Sequence, residues 1–351
     1  MEASFFPSFG AAAKVFMMGE VYTGLPSYAC PYQQVMPSIT NYPVYFDLIP
    51  AFGSTNSTMQ SLTAKITAMK DSCSTNDTSL LGSFSENHDQ PRFASYTTDI
   101  AAAYNVLAYT MLTDGIPMIY QGQEQRLNGS YDPLNREAIW LTGFNQNATL
   151  YQYIKSLNAL RKEMIRLDGS YLTYKAWVVN STNYTLSLRK GNMTMVLTNQ
   201  GVSSTNQSVN LANYTTGFTP KMALVDIFSC ENLTAGDDGS MSVVLQKGMP
   251  RMLFARESID SSKFCYQNRN VVNGTSNTGG SGNSGGSMGT SSNGGYSDTS
   301  KLGGGAIAGI VLGVLAGLAL LGAAILFWRR KKRRTATVRP LEKNWNGAFH
   351  S

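Results

Sequence analysis

Charged residues are scarce in this sequence and unevenly placed. They make up 14% of 351 residues against 42% hydrophobic residues, which excludes a wholly disordered chain. The net charge of +6 would suit a nucleic-acid partner, but eight basic residues and one acidic residue, Glu342, lie after residue 328. The rest of the chain holds 20 basic and 21 acidic residues, so we expect its folded part to bind no nucleic acid. The length predicts two folded units and additional segments.

The segment 303–328 contains no charged residue. Its 26 residues exceed the ~20 that a helix needs to cross a bilayer, which predicts one transmembrane helix rather than a buried core helix. The run of cations from Arg329 to Arg334 then predicts a short basic cytoplasmic tail, 329–351. We therefore expect a single-pass protein of the cell membrane with an extracellular head.

The predicted span carries a stripe of glycines at every fourth position: Gly305, Gly309, Gly313 and Gly317. This spacing allows close approach of two helices and favours self-association, although glycine is frequent in such spans in any case. The cations that follow the span are also expected to contact anionic membrane lipid.

The residues before the span have almost nothing to bury. Segment 269–302 is rich in Gly, Ser and Asn, which predicts a disordered stalk. All Asn-x-Ser/Thr sequons lie before residue 303, in agreement with an extracellular head. The N-terminus lacks the basic and apolar regions of a signal peptide. Either the span acts as a late insertion signal, or the chain begins within a longer protein.

The four cysteines are Cys30, Cys73, Cys230 and Cys265. An even number in an oxidising compartment predicts two disulfides rather than free thiols. Three pairings are possible, and proximity along the chain favours Cys30 with Cys73 and Cys230 with Cys265.

Residues 1–169 alternate short apolar runs with helical patterns, which predicts a parallel sheet with covering helices. Residues 170–268 alternate Val, Thr, Tyr and Leu, with a hairpin turn at Lys190–Asn192, and predict an antiparallel β domain. The predicted strands of the first part are Val15–Met18, Tyr42–Leu48, Leu80–Ser85 and Pro117–Tyr120, and its helices are Met59–Met69, Asp99–Leu112 and Leu150–Leu167.

Polar residues cluster just after the predicted strands, where such folds place their active sites. Glu20 follows the first strand, His88 and Asp89 follow the third, and Asp132 and Arg136 follow the last. Two carboxylates and a hydrogen-bonding histidine are the ingredients of glycosidic bond cleavage. Spacing alone equally allows solvated residues at strand ends.

The decapeptide FSENHDQPRF, residues 84–93, resembles the fourth sequence motif of the α-amylase family of glycoside hydrolases. Gly19-Glu20-Val21 resembles the third motif. The similarity to secreted fungal members of this family extends from about residue 5 to 265. It implies the second half of a (β/α)8 TIM barrel in residues 1–169 and an antiparallel β-sandwich in residues 170–268.

The resemblance also implies roles for single residues. Glu20 falls on the general acid/base position and Asp89 on the position that stabilises the transition state. The implied substrate-binding residues are His88, Asp132, Arg136, Tyr22 and Gly24. The cysteine pairs favoured above coincide with disulfides of the fungal enzymes.

The first and second motifs of the family are missing from this sequence, and the second carries the nucleophilic Asp. Calcium is a cofactor of the family, but most of its ligands belong to the missing part, so no metal ligand is predicted here. A half barrel exposes two unpaired strand edges, which favours a truncated gene model that starts at an internal Met.

Two functions of different class remain open. The first is a membrane-anchored, retaining endo-hydrolase or transglycosylase of α-1,4-glucans, with starch, glycogen or wall α-glucan as substrate. The 351-residue chain alone is then expected to be inactive. The alternative is a non-catalytic, membrane-anchored protein that binds glucan or associates with the wall.

Overall fold

A computed structural model describes residues 2–73 and 77–264, all of which lie in one compact unit that spans residues 1–277. The predicted stalk, transmembrane helix and basic tail, together with Cys265, lie outside the described residues. None of the helices in these two ranges combines the length and the hydrophobicity of a membrane span.

The first part of the chain alternates two-residue strands with helices. The strands are β1 (Met18–Gly19), β2 (Ser38–Ile39), β3 (Gly82–Ser83) and β4 (Ile116–Pro117). The helices are α1 (Phe5–Ala13), α2 (Pro26–Ala29), α3 (Tyr42–Gly53), α4 (Gln60–Ser72), α5 (Phe93–Tyr96), α6 (Ile100–Leu112) and α7 (Thr149–Leu167). Short 3-10 helices occupy Cys30–Gln34, Thr78–Leu80, Gln123–Gln125, Ile139–Thr142 and Gly169–Leu172.

The strands β1 to β4 run parallel, in chain order. Met18 of β1 pairs with Ser38 of β2, and Gly82 of β3 pairs with Ile116 of β4. A parallel bridge between Thr40 and Gly82 connects the two pairs. The predicted parallel sheet with covering helices is confirmed, and we call this part, up to the end of α7, the half-barrel.

Sequence features account for the helices α6 and α7. Asp99 caps α6, because its Oδ1 accepts the backbone N–H groups of Ala101 and Ala102 at 2.7 and 3.2 Å. Helix α7 buries one stripe, whose residues recur every three or four positions as expected of an amphipathic helix. The stripe consists of Leu150, Tyr153, Leu157, Leu160 and Met164.

The strand predicted at Tyr42–Leu48 is wrong, because these residues form the first turns of α3. Asn41 caps this helix by accepting the Val44 N–H at 3.3 Å, and Pro43 occupies its first turn, where the missing proline N–H costs nothing. Most residues of this segment are buried, so its sequence is a short apolar run. Periodicity alone does not distinguish a buried strand from a buried helix in such a run.

The second part is antiparallel and forms the β domain. Its strands are β5 (Trp177–Ser181), β6 (Thr185–Lys190), β7 (Met193–Thr198), β8 (Gln207–Leu211), β9 (Ala223–Asp226), β10 (Asn232–Thr234), β11 (Met241–Leu245) and β12 (Arg251–Ala255), with a short helix α8 (Asn213–Thr216). One sheet has the order β10-β9-β12-β7-β6-β5, and β8 pairs with β11. The hairpin between β6 and β7 turns at Gly191, at φ 58°, where it was predicted.

The six-stranded sheet is covered on both faces, and every residue of its strand β7 is buried. Met193, Met195 and Leu197 belong to the core shared with the half-barrel helices. Val196 points to the opposite face and joins a second core with Val209 of β8 and other residues. The period of two along the strand therefore serves two cores at once.

A buried amide also ties the two parts together. Asn105 of α6 is fully buried, and its Nδ2 donates to the Gly248 carbonyl at 2.8 Å. Its Oδ1 accepts the Thr198 N–H at 2.9 Å. The half-barrel and the β domain are thus joined by directed hydrogen bonds as well as by apolar packing.

The predicted disulfide between Cys30 and Cys73 is confirmed, with the two Cα atoms 5.2 Å apart. It fastens the segment after α2 to the end of α4. The pairing of Cys230 with Cys265 stays a prediction, because Cys265 lies outside the described residues.

Candidate active site

Glu20 lies directly after β1 and is exposed. The buried Tyr42, at the start of α3, donates its hydroxyl to Glu20 Oε1 at 2.6 Å. Burial and the hydrogen bond to Glu20 raise the pKa of Tyr42 well above its ordinary value. The phenol therefore stays a neutral donor at physiological pH and holds the Glu20 carboxylate in place.

The same tyrosine leads to the loop after β3. Asn87 Nδ2 donates to the Tyr42 hydroxyl oxygen at 2.6 Å. Asn87 Oδ1 in turn accepts the backbone N–H groups of Asp89 and Gln90, both at 3.0 Å. An unbroken chain of hydrogen bonds thus runs from the Glu20 side chain to the backbone of Asp89.

The two carboxylate oxygens of Asp89 contact different side chains, those of Arg136 and His88. Arg136 Nη2 lies 3.1 Å from Asp89 Oδ1, and His88 Nε2 lies 3.3 Å from Asp89 Oδ2. Arg136 Nη2 also lies 3.3 Å from Asp132 Oδ2. All four side chains are 40% exposed or more, so the cluster faces solvent.

The loop that carries Asp132 and Arg136 is fixed onto the His88–Asp89 loop through backbone carbonyls. Arg136 Nε donates to the His88 carbonyl at 3.0 Å. The buried Asn135 donates to the carbonyls of His88 and Gln90 at 3.0 and 2.9 Å. These bonds bring residues from after β3 and after β4 onto one surface.

Tyr22 and Gly24 lie on the Glu20 side of this surface. The Tyr22 ring packs edge-on against Tyr42, with centroids 5.0 Å apart, and is 63% exposed. The Gly24 carbonyl accepts Lys65 Nζ of α4 at 2.6 Å, which fixes the loop after β1.

Several residues that hold the site were not identified from the sequence. Asn87 and Arg92 lie inside the segment that resembles the fourth motif, and Asn135 lies between the predicted residues Asp132 and Arg136. Their closeness in sequence to predicted site residues could have indicated a role in the site. Tyr42 had no such signal, because the strand assigned to it gave the hydroxyl no reason to face Glu20.

The arrangement presents two carboxylates in different environments. Glu20 accepts a neutral phenol, while Asp89 is balanced by the guanidinium of Arg136. A carboxyl held by a neutral donor can give and take a proton, and a carboxylate held by a cation can remain charged and stabilise positive charge nearby. A proton donor and a charged carboxylate are two of the groups that glycosidic bond cleavage uses.

Calcium finds no ready site among the described residues. In residues 2–73 and 77–264, no group of three or more His, Cys, Asp or Glu side chains is placed to hold a metal ion.

Known proteins match this chain over both parts. Residues 5–141 match the family description "Alpha amylase, catalytic domain", and residues 178–273 match "Alpha-amylase, domain C". Alpha-amylase 1 of Schwanniomyces occidentalis is 43% identical over 262 residues, which are 74% of this chain and 50% of that protein. The alpha-amylase of Saccharomycopsis fibuligera is 39% identical over 252 residues, which are 72% of this chain and 50% of that protein.

A solved structure shows the same relationship. An alpha-amylase from Malbranchea cinnamomea superposes with a TM-score of 0.72 at 45% sequence identity, over 76% of this chain and 56% of that one. The chain spans about half the length of the curated relatives it matches. With a parallel half-barrel followed by a β domain, the chain carries catalytic-domain and C-domain segments of the α-amylase family.

Proposed function

We propose that this protein acts as an α-amylase-like glycoside hydrolase on α-1,4-glucans, by retaining endo-hydrolysis. The observation that carries the proposal is the hydrogen-bonded path from Glu20 through Tyr42 and Asn87 to Asp89. This path connects the carboxyl group that we propose as the acid to the backbone of the carboxylate that we propose to stabilise positive charge. The side chains that we propose to bind sugar lie on the same surface.

In this proposal Glu20 protonates the leaving glycosidic oxygen, and Tyr42 keeps its carboxyl oriented toward that oxygen. Asp89 stabilises the positive charge that develops on the sugar ring in the oxocarbenium-like transition state. Arg136 and Asp132 bind hydroxyls of the same sugar, and His88 donates a hydrogen bond to it. Tyr22 and Gly24 line the side on which the leaving group departs.

A retaining reaction also needs a nucleophilic carboxylate ~5 to 5.5 Å from the acid. We assign this role to none of the described residues and propose that it belongs to the second motif of the family, which this sequence does not contain. We therefore expect no measurable hydrolysis by the 351-residue chain alone and activity in a form that also carries that motif.

The test is a starch-hydrolysis assay on the form that carries all family motifs. Glu20→Gln and Asp89→Asn should each lower kcat/KM by ~10²- to 10⁴-fold, because each removes a group that acts on the transition state. Asp237→Asn is the matched control, because its side chain is 89% exposed in the β domain. Activity that survives Glu20→Gln would refute the assignment of the acid.

A second candidate function is glucan binding without hydrolysis. It is favoured by one observation, that His88, Asp89, Asp132 and Arg136 form one cluster of contacts on an exposed surface. Calorimetric titration of the 351-residue chain with maltoheptaose tests it. Binding that is lost in Arg136→Ala, with no product released, supports this function; absence of binding excludes it for this chain.

We also propose that segment 303–328 anchors the protein in the cell membrane, with the folded part outside and the basic tail inside. The support is in the sequence: an uncharged segment of 26 residues followed directly by six cations. Protease added to intact cells should then remove the folded part and spare the tail. Protection of the folded part would reverse the orientation.

A further inference from the structure

Next to the exposed site lies a group of three charged side chains, which we call the Arg92 cluster: Glu86 and Arg92, which are buried, and Glu137, which is partly buried. Arg92 is 0% exposed, and its Nε donates to Glu137 Oε2 at 2.5 Å. Its Nη1 lies 3.2 Å from Glu86 Oε2. The guanidinium also lies over the Tyr120 ring, 4.4 Å from its centroid.

The Arg92 cluster reaches both loops of the site through the backbone. Glu137 Oε1 accepts the N–H groups of Asn128 and Gly129 at 3.1 and 2.6 Å. The Arg92 N–H donates to the Gly129 carbonyl at 3.0 Å. On the other side, Glu86 Oε1 accepts the Phe93 N–H at 3.0 Å, which closes the loop from residue 86 to 93.

Each carboxylate of the cluster stands next to a residue of the site in sequence. Glu86 precedes Asn87, which fixes the Asp89 backbone, and Glu137 follows Arg136 directly. Because the peptide unit between two neighbouring residues is planar, anchoring one residue fixes the distance to the Cα atom of the next. The same two segments, 86–93 and 128–137, therefore carry both the ion pairs of the Arg92 cluster and the contact between Asp89 and Arg136.

The Arg92 cluster is expected to add little to the free energy of unfolding, compared with apolar residues of the same volume. Burial raises the pKa of Glu86 to about 7, even though Arg92 and the Phe93 N–H favour its charged form. Partial burial also opposes ionisation of Glu137, but hydrogen bonds from backbone amides and Arg92 outweigh it and lower the pKa of that carboxyl. Buried ion pairs of this kind are often no more stabilising than apolar residues of the same volume.

We infer that Glu86, Arg92 and Glu137 are positioning residues, which hold the two loops in register so that Arg136 meets Asp89. No residue of the cluster is assigned contact with substrate. The inference rests on the proposed function only for its effect on glucan binding; the positioning itself is a property of the protein without ligand.

The test uses the two histidines of the chain, His88 and His350, as probes. His88 Nε2 lies 3.3 Å from Asp89, so its ring resonances report the geometry of the site, and His350→Ala identifies them by elimination. In the 351-residue chain, Glu137→Ala should displace or broaden the His88 ring signals in an NMR spectrum. Glu137→Gln keeps one acceptor oxygen and should give a smaller displacement.

The matched control is Glu231→Ala in the β domain. Glu231 Oε2 lies 2.5 Å from Nη2 of Arg251, a buried arginine that also pairs with the buried Asp226. The control therefore breaks the same type of ion pair away from the site and should leave the His88 signals unchanged. Unchanged signals in Glu137→Ala, or an equal change in Glu231→Ala, overturn the inference. If Glu137→Ala does not fold, unchanged signals in Glu137→Gln overturn it instead.

A binding measurement separates this inference from the proposed function. In a chain that binds maltoheptaose, Glu137→Ala should weaken binding by about tenfold or more, because misplaced groups lose much of their interaction, and Glu231→Ala should not. Unchanged affinity in Glu137→Ala contradicts the positioning role. A chain that binds no maltoheptaose contradicts glucan binding, while the His88 signals still decide the role of the cluster.

Discussion

The half-barrel and the β domain hold their strands in place by different means. Each strand from β1 to β4 has two residues, so few backbone hydrogen bonds fix its position. The pair β6 and β7 instead shares a register of six residue pairs. The half-barrel adds a disulfide and buried side-chain hydrogen bonds that end on loop backbones. Where ladders are short, the geometry of a surface depends on its side chains.

Both parts nevertheless contain a buried arginine between two carboxylates. Arg92 pairs with Glu86 and Glu137, and Arg251 pairs with Asp226 and Glu231. Asp226 also accepts the Met252 N–H at 2.8 Å, so this second cluster supports strands that are already paired. The Arg92 cluster supports loops. The same ionic arrangement should therefore have local consequences that differ between the two parts.

The largest effects are expected from Arg92→Met and Arg251→Met. Each substitution leaves a buried carboxylate without its cation and should lower the free energy of unfolding by about 3 to 5 kcal/mol in urea titrations. Hydrogen exchange should distinguish the two. The amides of Asn128 and Gly129 should exchange faster in Arg92→Met, whereas the β7 amides stay protected in Arg251→Met. Equal loosening of both regions by either variant would remove the distinction between them.

The next effect concerns the disulfide of the half-barrel, whose strands share few backbone hydrogen bonds. The double substitution Cys30→Ser, Cys73→Ser opens a link between residues 43 positions apart. It should lower the free energy of unfolding by about 2 to 4 kcal/mol, because the unfolded chain regains entropy. Differential scanning calorimetry measures the loss. A variant with unchanged Tm would show that packing of α4 suffices without the link.

The buried carboxyl of Glu86 predicts a dependence on pH. Its pKa in the folded protein is raised to about 7 from 4.5, so its protonated form favours folding. Its contribution is complete below about pH 4.5 and is lost as the pH rises to about 7. The free energy of unfolding of the parent, relative to Glu86→Gln, should therefore fall over this interval, by at most about 3 kcal/mol.

Urea titrations at several pH values measure this difference. Glu231→Gln is the control from the β domain, where the corresponding carboxylate is 45% exposed, and no such fall is expected for it. A difference between parent and Glu86→Gln that is constant with pH would show that Glu86 stays ionised in the folded protein.

The smallest effect is expected where an ion pair lies fully in solvent. Lys221 and Asp237 of the β domain are 3.4 Å apart, with side chains 77% and 89% exposed. Lys221→Ala should change the free energy of unfolding by less than about 1 kcal/mol, because water and salt screen the pair. A larger loss would mean that exposure is a poor guide to the value of ion pairs in this protein.

The long helices were predictable, and the short strands were less so. Helices α4, α6 and α7 agree with their predictions to within a few residues, because ten or more residues display a period. Strands of two residues display none, so those predicted around β1, β3 and β4 were too long. Segment α3 was misread because a buried helix and a buried strand have the same composition.

Site residues were also predictable only where a local sequence pattern marked them. Glu20, His88, Asp89, Asp132 and Arg136 stand in segments with a recognisable pattern, and the structure brings the last four into direct contact. Arg92 and Glu137 are 45 residues apart, and nothing local in the sequence indicates that these two charges meet in the interior. A charged residue is expected in solvent until a long-range partner is known.

Strand β7, buried on both faces, also limits how this protein could be taken apart. The predicted boundary near residue 170 invites a designer to transplant the β domain onto another enzyme. Such a graft would bring Met193, Met195 and Leu197 to the surface, each with about 1.5 to 3 kcal/mol of lost burial. It would also separate Thr198 from the amide of Asn105. A portable version needs polar residues at those three positions and a new acceptor for that N–H group.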